Sequence, residues 1–477
     1  MGSILGNNDW SFMPLSLREY DVSENCGFLS DDIPLQKLDD EYYQPWEYLI
    51  TEFVSYQVSG KFREKILELP LLSTEHLKTL PNYKRAYMVL AYLVHGYVWS
   101  IHKKPEEKIP KCLAVPFCQV SEYLGLNPVT SYASLVLWNW KTMDKTEDMM
   151  SLDNLTTIFN FTGSPDEVWF DLISTAIEVK GGKVIYCAGK IIRSIQSNNL
   201  DGVVEGIDEL SKGLKESTKI LTRMYEKCDP YIFFHKIRPY LAGWDGIETN
   251  GLKRGILYEG TDELDPEKEY KKFVGGNAAQ SSVFQAVDII LGIRHYSDDS
   301  ENEQNQRNER VKPPGNPYLL EMRGYMPGQH RRFLIDLEKV CKLREYVLNN
   351  TVDVSKVNNQ KFTESIEALS ISNESKTSKG HFPKEKQTEL LKSYNKCIST
   401  LKTFRDAHLV IVKTYVVDEA MKLRNQSSEP SKTPTKSESE KQNNKDQPEN
   451  SITGTGGSNP IVFLKKLRDE TTESRLK

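Results

Sequence analysis

His408 is the residue in this chain whose position asks for a chemical partner. It lies in the stretch Pro383 to Arg424, where Leu390, Tyr394, Cys397, Leu401, Phe404, His408, Ile411 and Tyr415 recur at spacings of three and four. That is the period of a single helix face. Pro383 suits the first turn of such a helix, where its missing N–H costs nothing. Glu385 lies near the positive end of the helix dipole, and Lys422 and Arg424 near the negative end. His408 is therefore in mid-stripe, far from either end. An imidazole so placed either satisfies both ring nitrogens inside the core, which is the commoner case, or binds something.

The other reactive residues mostly exclude chemistry. His95 and His102 have no partner at a metal-like spacing, and read as packed or surface-facing. The seven cysteines are an odd number, widely scattered and without a C-x-x-C pair. They argue against zinc and iron–sulfur sites and fit reduced thiols in a cytosolic protein. There is no P-loop, no G-x-G-x-x-G after a strand, no H-E-x-x-H and no G-x-S-x-G. What remains is one apolar-face histidine, aromatic-rich helices and a glycine-rich loop. That combination suits a haem pocket, with a single helical histidine as proximal ligand and aromatic and aliphatic walls around it.

The elements that must position these residues read as helices. Periodicity begins near Leu35 and runs to Val54, after an irregular start over residues 1–34. Lys84 to His102 is apolar nearly all round and is expected to be buried. Ala114 to Trp140 reads as a short helix, a turn at Asn127-Pro128 and a further helix. The block from Pro165 to Ile195 carries Glu167, Phe170, Ser174 and Glu178 on one side, with an interruption at Gly181-Gly182. A helix from Gly202 to Lys227 follows, then one opened by Asp229 as N-cap and Pro230 at the first position. A glycine-rich connection leads to a loop-to-helix transition at Phe273 to Arg294, and Pro327 opens a helix reaching Val347. Asn349 to Gly380 and Asn425 to Asn459 are too polar to order themselves, and Ser297 to Asn316 reads as a surface loop. No strand-like alternation exceeds a few residues and nothing repeats, so the expected fold is all-α.

Bulk properties narrow the setting. A chain of 477 residues exceeds the size at which one core keeps growing, so two domains are expected. The net charge of −5 is mild; it argues against a nucleic-acid surface or a polybasic membrane patch. The N-terminus lacks a basic-then-apolar signal, and Gly6 stands where a myristoylation motif wants Ser or Thr. Tyr87 to Trp99 is too short to span a bilayer. A cytoplasmic protein with no membrane partner is expected.

Six strings occur in fixed order: SYASLVLWNW, FFHKIRPYLAGW, ILYEGTDELDPEKEYKKFVGGNAAQSSVFQAVDIILGI, MRGYMPGQHRRFL, RDAHLVIVKTYV and GTGGSNPIVFLKKLRDET. Together they closely resemble the indoleamine 2,3-dioxygenase family of haem enzymes in its fungal form, from about Leu35 to the C-terminus. The resemblance implies a small helical N-terminal domain over residues 1–160. It implies a large C-terminal one over 161–477, holding haem b and carrying the polar inserts near 349–380 and 425–459. It further implies opening of the indole C2–C3 bond of L-tryptophan by O2 to give N-formylkynurenine, a step serving NAD synthesis. An electron donor for the haem and a monomeric enzyme belong to the same expectation.

Carried over by motif, His408 matches the proximal haem ligand, and Arg405, three residues earlier on roughly the same face, matches an arginine paired with Asp288. Arg238 matches the arginine that grips the substrate carboxylate, a task suited to its planar fork. Phe233 matches a substrate contact and its neighbour Phe234 a residue packing around the pocket; at a spacing of four, Phe234 shares the face of Arg238 most closely. Phe170 and Ser174 match a pocket aromatic and a distal serine, which supplies no strong general base. Tyr132, Leu135 and Val136 match wall positions, Leu135 standing where cysteine is commoner. The loop Gly275-Gly276-Asn277-Ala278-Ala279-Gln280 departs from the usual Gly-Gly-Ser-Ala-Gly-Gln. Asn277 is larger than serine and Ala279 lacks the freedom of glycine, beside Ala278 at the haem and substrate wall. Thr455 matches the end of a loop that closes over substrate. The competing expectation is a haem-binding sensor with little turnover, against which the retention of Arg238, Phe170, Phe233 and Ser174 argues.

Overall fold

The apolar run before residue 100 forms a helix, Leu80–Val98, started by the Thr79 hydroxyl, and every residue from Arg85 to Val98 is buried. It belongs to a computed structural model describing residues 9–29, 31–101, 103–146, 148, 150–245, 252–261, 270–296, 315–351, 382–427, 454 and 459–476. Helices account for nearly all regular structure among these residues. The expected inserts at 349–380 and 425–459 fall largely outside them, as do most of the loop from Ser297 to Asn316, His102 and Thr455.

Two buried apolar clusters organise the helices. The first gathers Trp46, the Leu80–Val98 helix, Lys111–Leu124, and Leu172 to Ile177 of Pro165–Gln196. The second gathers Val184 to Ile192 of that same helix, with Leu200–Thr222, Ser282–Leu291, Gly328–Val340 and the first half of Lys384–Val412. Trp10, Met13, Tyr20 and Phe28 from the irregular N-terminal segment join this second cluster. The Pro165–Gln196 and Lys384–Val412 helices each run through both clusters, the latter contributing Leu390 to Leu401 to one and Phe404 to Ile411 to the other. The residues of interest sit where the clusters meet.

Two predicted features are corrected. Gly181 and Gly182 do not interrupt their helix, which is continuous from Pro165 to Gln196. Their role is close packing: a Cβ on Gly182 would lie 2.2 Å from the Asn25 carbonyl oxygen, and one on Gly181 2.5 Å from a Val283 methyl. The propensity cost of about 1 kcal/mol per glycine is offset by letting two other segments approach the helix backbone. Conversely, the helix expected from Pro327 to Val347 is broken at Cys341 into Gly328–Val340 and Leu343–Thr351.

Asp229 caps the helix at Pro230 as expected, accepting from the backbone N–H of Tyr231 and Ile232. Two small sheets also occur. Ile256–Tyr258 pairs in parallel with Lys108–Ile109 and antiparallel with Tyr270–Lys271, while Lys141–Thr142 pairs with Leu155–Thr156. Strands of two or three residues carry no readable alternation. His95 is the satisfied core histidine that its setting suggested. Its Nδ1 lies 2.8 Å from the Tyr240 carbonyl oxygen, and its Nε2 accepts from the Thr130 N–H at 2.9 Å.

Candidate active site

His408 has the opposite environment. It stands on Lys384–Val412 and borders a cavity walled on its side by Phe404, Ile411 and Val412. Among the described residues neither ring nitrogen has a hydrogen-bond partner; only burial and the Arg405 charge act on it, and together they push its pKa down to about 4. The imidazole keeps accessible surface although protein surrounds it, because that surface faces the cavity. A neutral imidazole with a free lone pair, aimed into an apolar cavity, is the form that ligates a metal.

Arg405, one turn earlier, anchors this wall. Its Nη2 lies 2.7 Å from both carboxylate oxygens of Asp288, while Nη1 donates to the Leu467 carbonyl at 3.0 Å and to the Thr471 hydroxyl. Asp288 also meets His295 Nε2 at 3.0 Å, and His295 Nδ1 lies 2.6 Å from Glu470. Burial opposes ionisation of Asp288, but Arg405 and His295 outweigh it and hold its pKa below the usual value. Burial opposes the charge on His295 as well, and Asp288 and Glu470 outweigh it and hold that pKa above its own. The network ties Ser282–Leu291, Lys384–Val412 and Pro460–Glu473 together behind His408.

The remaining walls carry the other predicted residues. Tyr132, Phe170, Ser174, Phe233 and Arg238 all line the same cavity, as do Asn277, Ala278 and Ala279. Phe170 and Phe233 meet with ring centroids 4.7 Å apart. Burial lowers the pKa of Arg238, but a guanidinium does not give up its charge in proteins. Phe233 and Arg238 are five residues apart, which in an α-helix would put them on different faces. They share the cavity because Phe233–Ile237 is a π-helical turn, the Arg238 N–H bonding to the Phe233 carbonyl. Pro239, which follows, has no N–H to offer the His235 carbonyl. Phe234, expected on that shared face, is not among the cavity's lining residues; its ring lies 5.3 Å from the Arg238 guanidinium carbon.

Two further π-helical turns occur, at Ala133–Leu137 and Lys413–Val417, and they bring Leu135 and Val136, and Tyr415 and Val416, to the same cavity. The glycine-rich loop takes its place through contacts. A Cβ on Gly275 would lie 2.0 Å from the Leu241 carbonyl oxygen, and one on Gly276 2.6 Å from a Leu135 methyl. Ala279, in contrast, sits in a 3-10 turn and has no positive φ, so the glycine it replaces is not needed there. The Asn277 side chain caps that turn, accepting from the Ala279 N–H at 3.0 Å. Thr455 lies outside the described residues; its neighbour Gly454 lines the cavity, with Phe463, Leu464 and Leu467 of the C-terminal helix.

The family model for indoleamine 2,3-dioxygenase matches residues 16–474. The chain belongs to the indoleamine 2,3-dioxygenase family. It is 34% identical to indoleamine 2,3-dioxygenase of Saccharomyces cerevisiae, with 95% of this chain and 92% of that protein aligned. It is 31% identical to indoleamine 2,3-dioxygenase 1 of Mus musculus, over 96% of each chain. A Fusarium equiseti relative named 6-hydroxytryptophan 2,3-dioxygenase is 30% identical, over 96% of this chain and 98% of its own.

Membership makes this an indoleamine 2,3-dioxygenase-type enzyme, in a family that is haem-dependent. The residues present fit a haem: an unpartnered neutral imidazole in an apolar cavity, braced from behind by a charged arginine. Sequence reasoning missed Asp171, which also lines the cavity, and His295 and Glu470, which complete the network behind Arg405. Asp171 left a readable signal, a carboxylate within the apolar run Val168 to Ile173. The pairing of His295 with Glu470 left none, being 175 residues apart.

Proposed function

We propose that this enzyme binds haem b through His408 and opens the C2–C3 bond of L-tryptophan with O2, giving N-formylkynurenine. The observation that carries the reading is the unsatisfied His408 imidazole sharing one cavity with the buried Arg238. When bound, the haem iron supplies dioxygen binding and the redox chemistry that the side chains lack. Arg238 grips the substrate carboxylate through its planar fork, and Phe170 and Phe233 flank the indole ring. On the distal wall the Ser174 hydroxyl supplies no strong general base, and the Asp171 carboxyl lines the same cavity. Phe463, Leu464 and Leu467 of the C-terminal helix line the cavity, and Thr455, by its family motif, contacts the substrate. Arg405, paired with Asp288, sets the orientation of the His408 helix, and Asn277, Ala278 and Ala279 form part of the wall, in a loop that abuts Leu135 and Tyr132 of the small domain, residues 1–160.

The product feeds NAD synthesis, and an electron donor keeps the haem ferrous. The working form is a monomer in the cytoplasm; among the described residues no helix is long and apolar enough to cross a membrane. The test is the absorption spectrum of the purified protein with haemin, followed by turnover of L-tryptophan with O2 and a reductant. His408→Ala should lose haem, and Arg238→Ala should keep it and raise KM roughly 10- to 100-fold, the value of a charged hydrogen bond. Haem binding without N-formylkynurenine would replace the enzyme reading with a sensor.

A further inference from the structure

Three carboxyl groups are buried along Pro165–Gln196: Glu167, Asp171 and Glu178. Two of them accept hydrogen bonds from the protein, although Glu178 Oε2 is left without a partner among the described residues. Glu167 accepts from the Phe161 and Thr162 N–H groups and the Thr162 hydroxyl, all within 2.7 Å. Glu178 Oε1 accepts from the Tyr132 hydroxyl at 2.9 Å and the Ser281 hydroxyl at 2.6 Å. Asp171 differs. It is only 2% exposed, it lines the cavity between Phe170 and Ser174 in sequence, and among the described residues its carboxyl has no hydrogen-bond partner. The Thr175 hydroxyl, four residues on, is turned to the Asp171 and Val136 carbonyl oxygens, and the structure shows no bond from the Ser174 hydroxyl to Asp171.

A buried polar group without a partner is costly, and much of the wall of the cavity that Asp171 lines is apolar, with Leu135, Val136, Phe170, Ile177 and Phe233 beside the Ser174 hydroxyl. A ligand that supplies the partner removes that cost. We propose that Asp171 is a specificity-determining residue that hydrogen-bonds a hydroxyl carried on the benzene ring of the indole substrate. The inference rests on the reading of this cavity as the tryptophan site. Burial, with the nearby Glu167 carboxyl, raises the Asp171 pKa well above the usual carboxylate range, which favours its protonated form. A neutral acid donates through its O–H and accepts through its C=O, the two roles that a phenolic hydroxyl complements. An unsubstituted benzene edge offers neither. A site built to pair a hydroxyl discriminates against the analogue lacking it far more strongly than an apolar pocket discriminates by size.

The experiment compares kcat/KM for 5-hydroxy- and 6-hydroxy-L-tryptophan with that for L-tryptophan, in the haem-loaded wild type, Asp171→Leu and Asp171→Asn. The ratio for the better hydroxylated substrate should fall at least tenfold in Asp171→Leu, while Asp171→Asn, which still donates and accepts, should keep most of it. A ratio unchanged within twofold in Asp171→Leu overturns the assignment, including the case where all substrates lose together because Asp171 serves the ammonium or the ring N–H. The same ratio is read without turnover from the rise in Tm that each ligand produces. A hydroxyl preference in binding that depends on Asp171, without turnover of any substrate, would sink the dioxygenase proposal and leave the Asp171 assignment standing. Retained haem absorbance in the variants reports that they fold.

Discussion

Arg405 Nη2 lies 2.7 Å from each carboxylate oxygen of Asp288, across 117 residues of sequence, with both side chains buried. A buried pair of this kind is weak evidence for net stability, yet breaking it leaves a charge uncompensated. Asp288→Ala or Arg405→Ala should each cost about 3–5 kcal/mol. The double variant should lose clearly less than the sum, because the two residues act as one unit. Denaturant titration of all four proteins checks this; additive losses would show that the pair is not coupled.

His295 extends the same network and gives it a pH dependence. Its folded pKa is raised above the usual histidine value, so protonated His295 contributes stability that is fully present below the unfolded pKa. That contribution is lost as pH rises through the folded value. The Tm of the wild type should therefore decline on the alkaline side of about pH 6.5, and His295→Gln should show a flatter profile there. Parallel profiles for the two proteins would remove His295 as the cause.

Glu178 works in the same direction by a different route. Burial raises its carboxyl to about 7, although the Ser281 and Tyr132 hydroxyls pull it back. Between its unfolded value and about 7 the folded state holds a proton that the unfolded state has released, so stability falls as pH rises through that window. Glu178→Gln keeps an acceptor for both hydroxyls and puts its amide where Oε2 has no partner. At pH 8 the variant should be more stable than the wild type, by up to about 3 kcal/mol, and the advantage should vanish near pH 4. Equal Tm values at both pH values would contradict this.

Gly276 offers a steric test of the cavity wall. A Cβ there would lie 2.6 Å from a Leu135 methyl. Gly276→Ala should cost about 1–3 kcal/mol through overpacking. Adding Leu135→Ala should recover part of that loss, since the clashing methyl is gone. A double variant less stable than the sum of the singles would place the strain elsewhere.

The inward face of His408 was legible, because a helix stripe is a local property of spacing. The resemblance supplied Arg405, Asp288 and Arg238, and the structure brings these together around one cavity. Three things were hidden for physical reasons. The glycines at 181 and 182 look like a break to local propensity, which cannot see Asn25 and Val283 arriving from elsewhere in the chain. His295 and Glu470 acquire meaning only from each other. The face shared by Phe233 and Arg238 defeats a period of 3.6, because the turn between them is wider.

That wider turn, repeated at Ala133–Leu137 and Lys413–Val417, has a consequence for how such a cavity diversifies. Each π-helical turn holds one residue more than the α-helical turn it replaces. Its sequence is thus equivalent to an α-helix bearing a single-residue insertion at the wall. Deleting one residue inside such a turn would swing the following side chains by about 100° while leaving a regular helix. Length changes of one codon at these three positions are therefore a route to reshaping the pocket that substitutions alone do not provide.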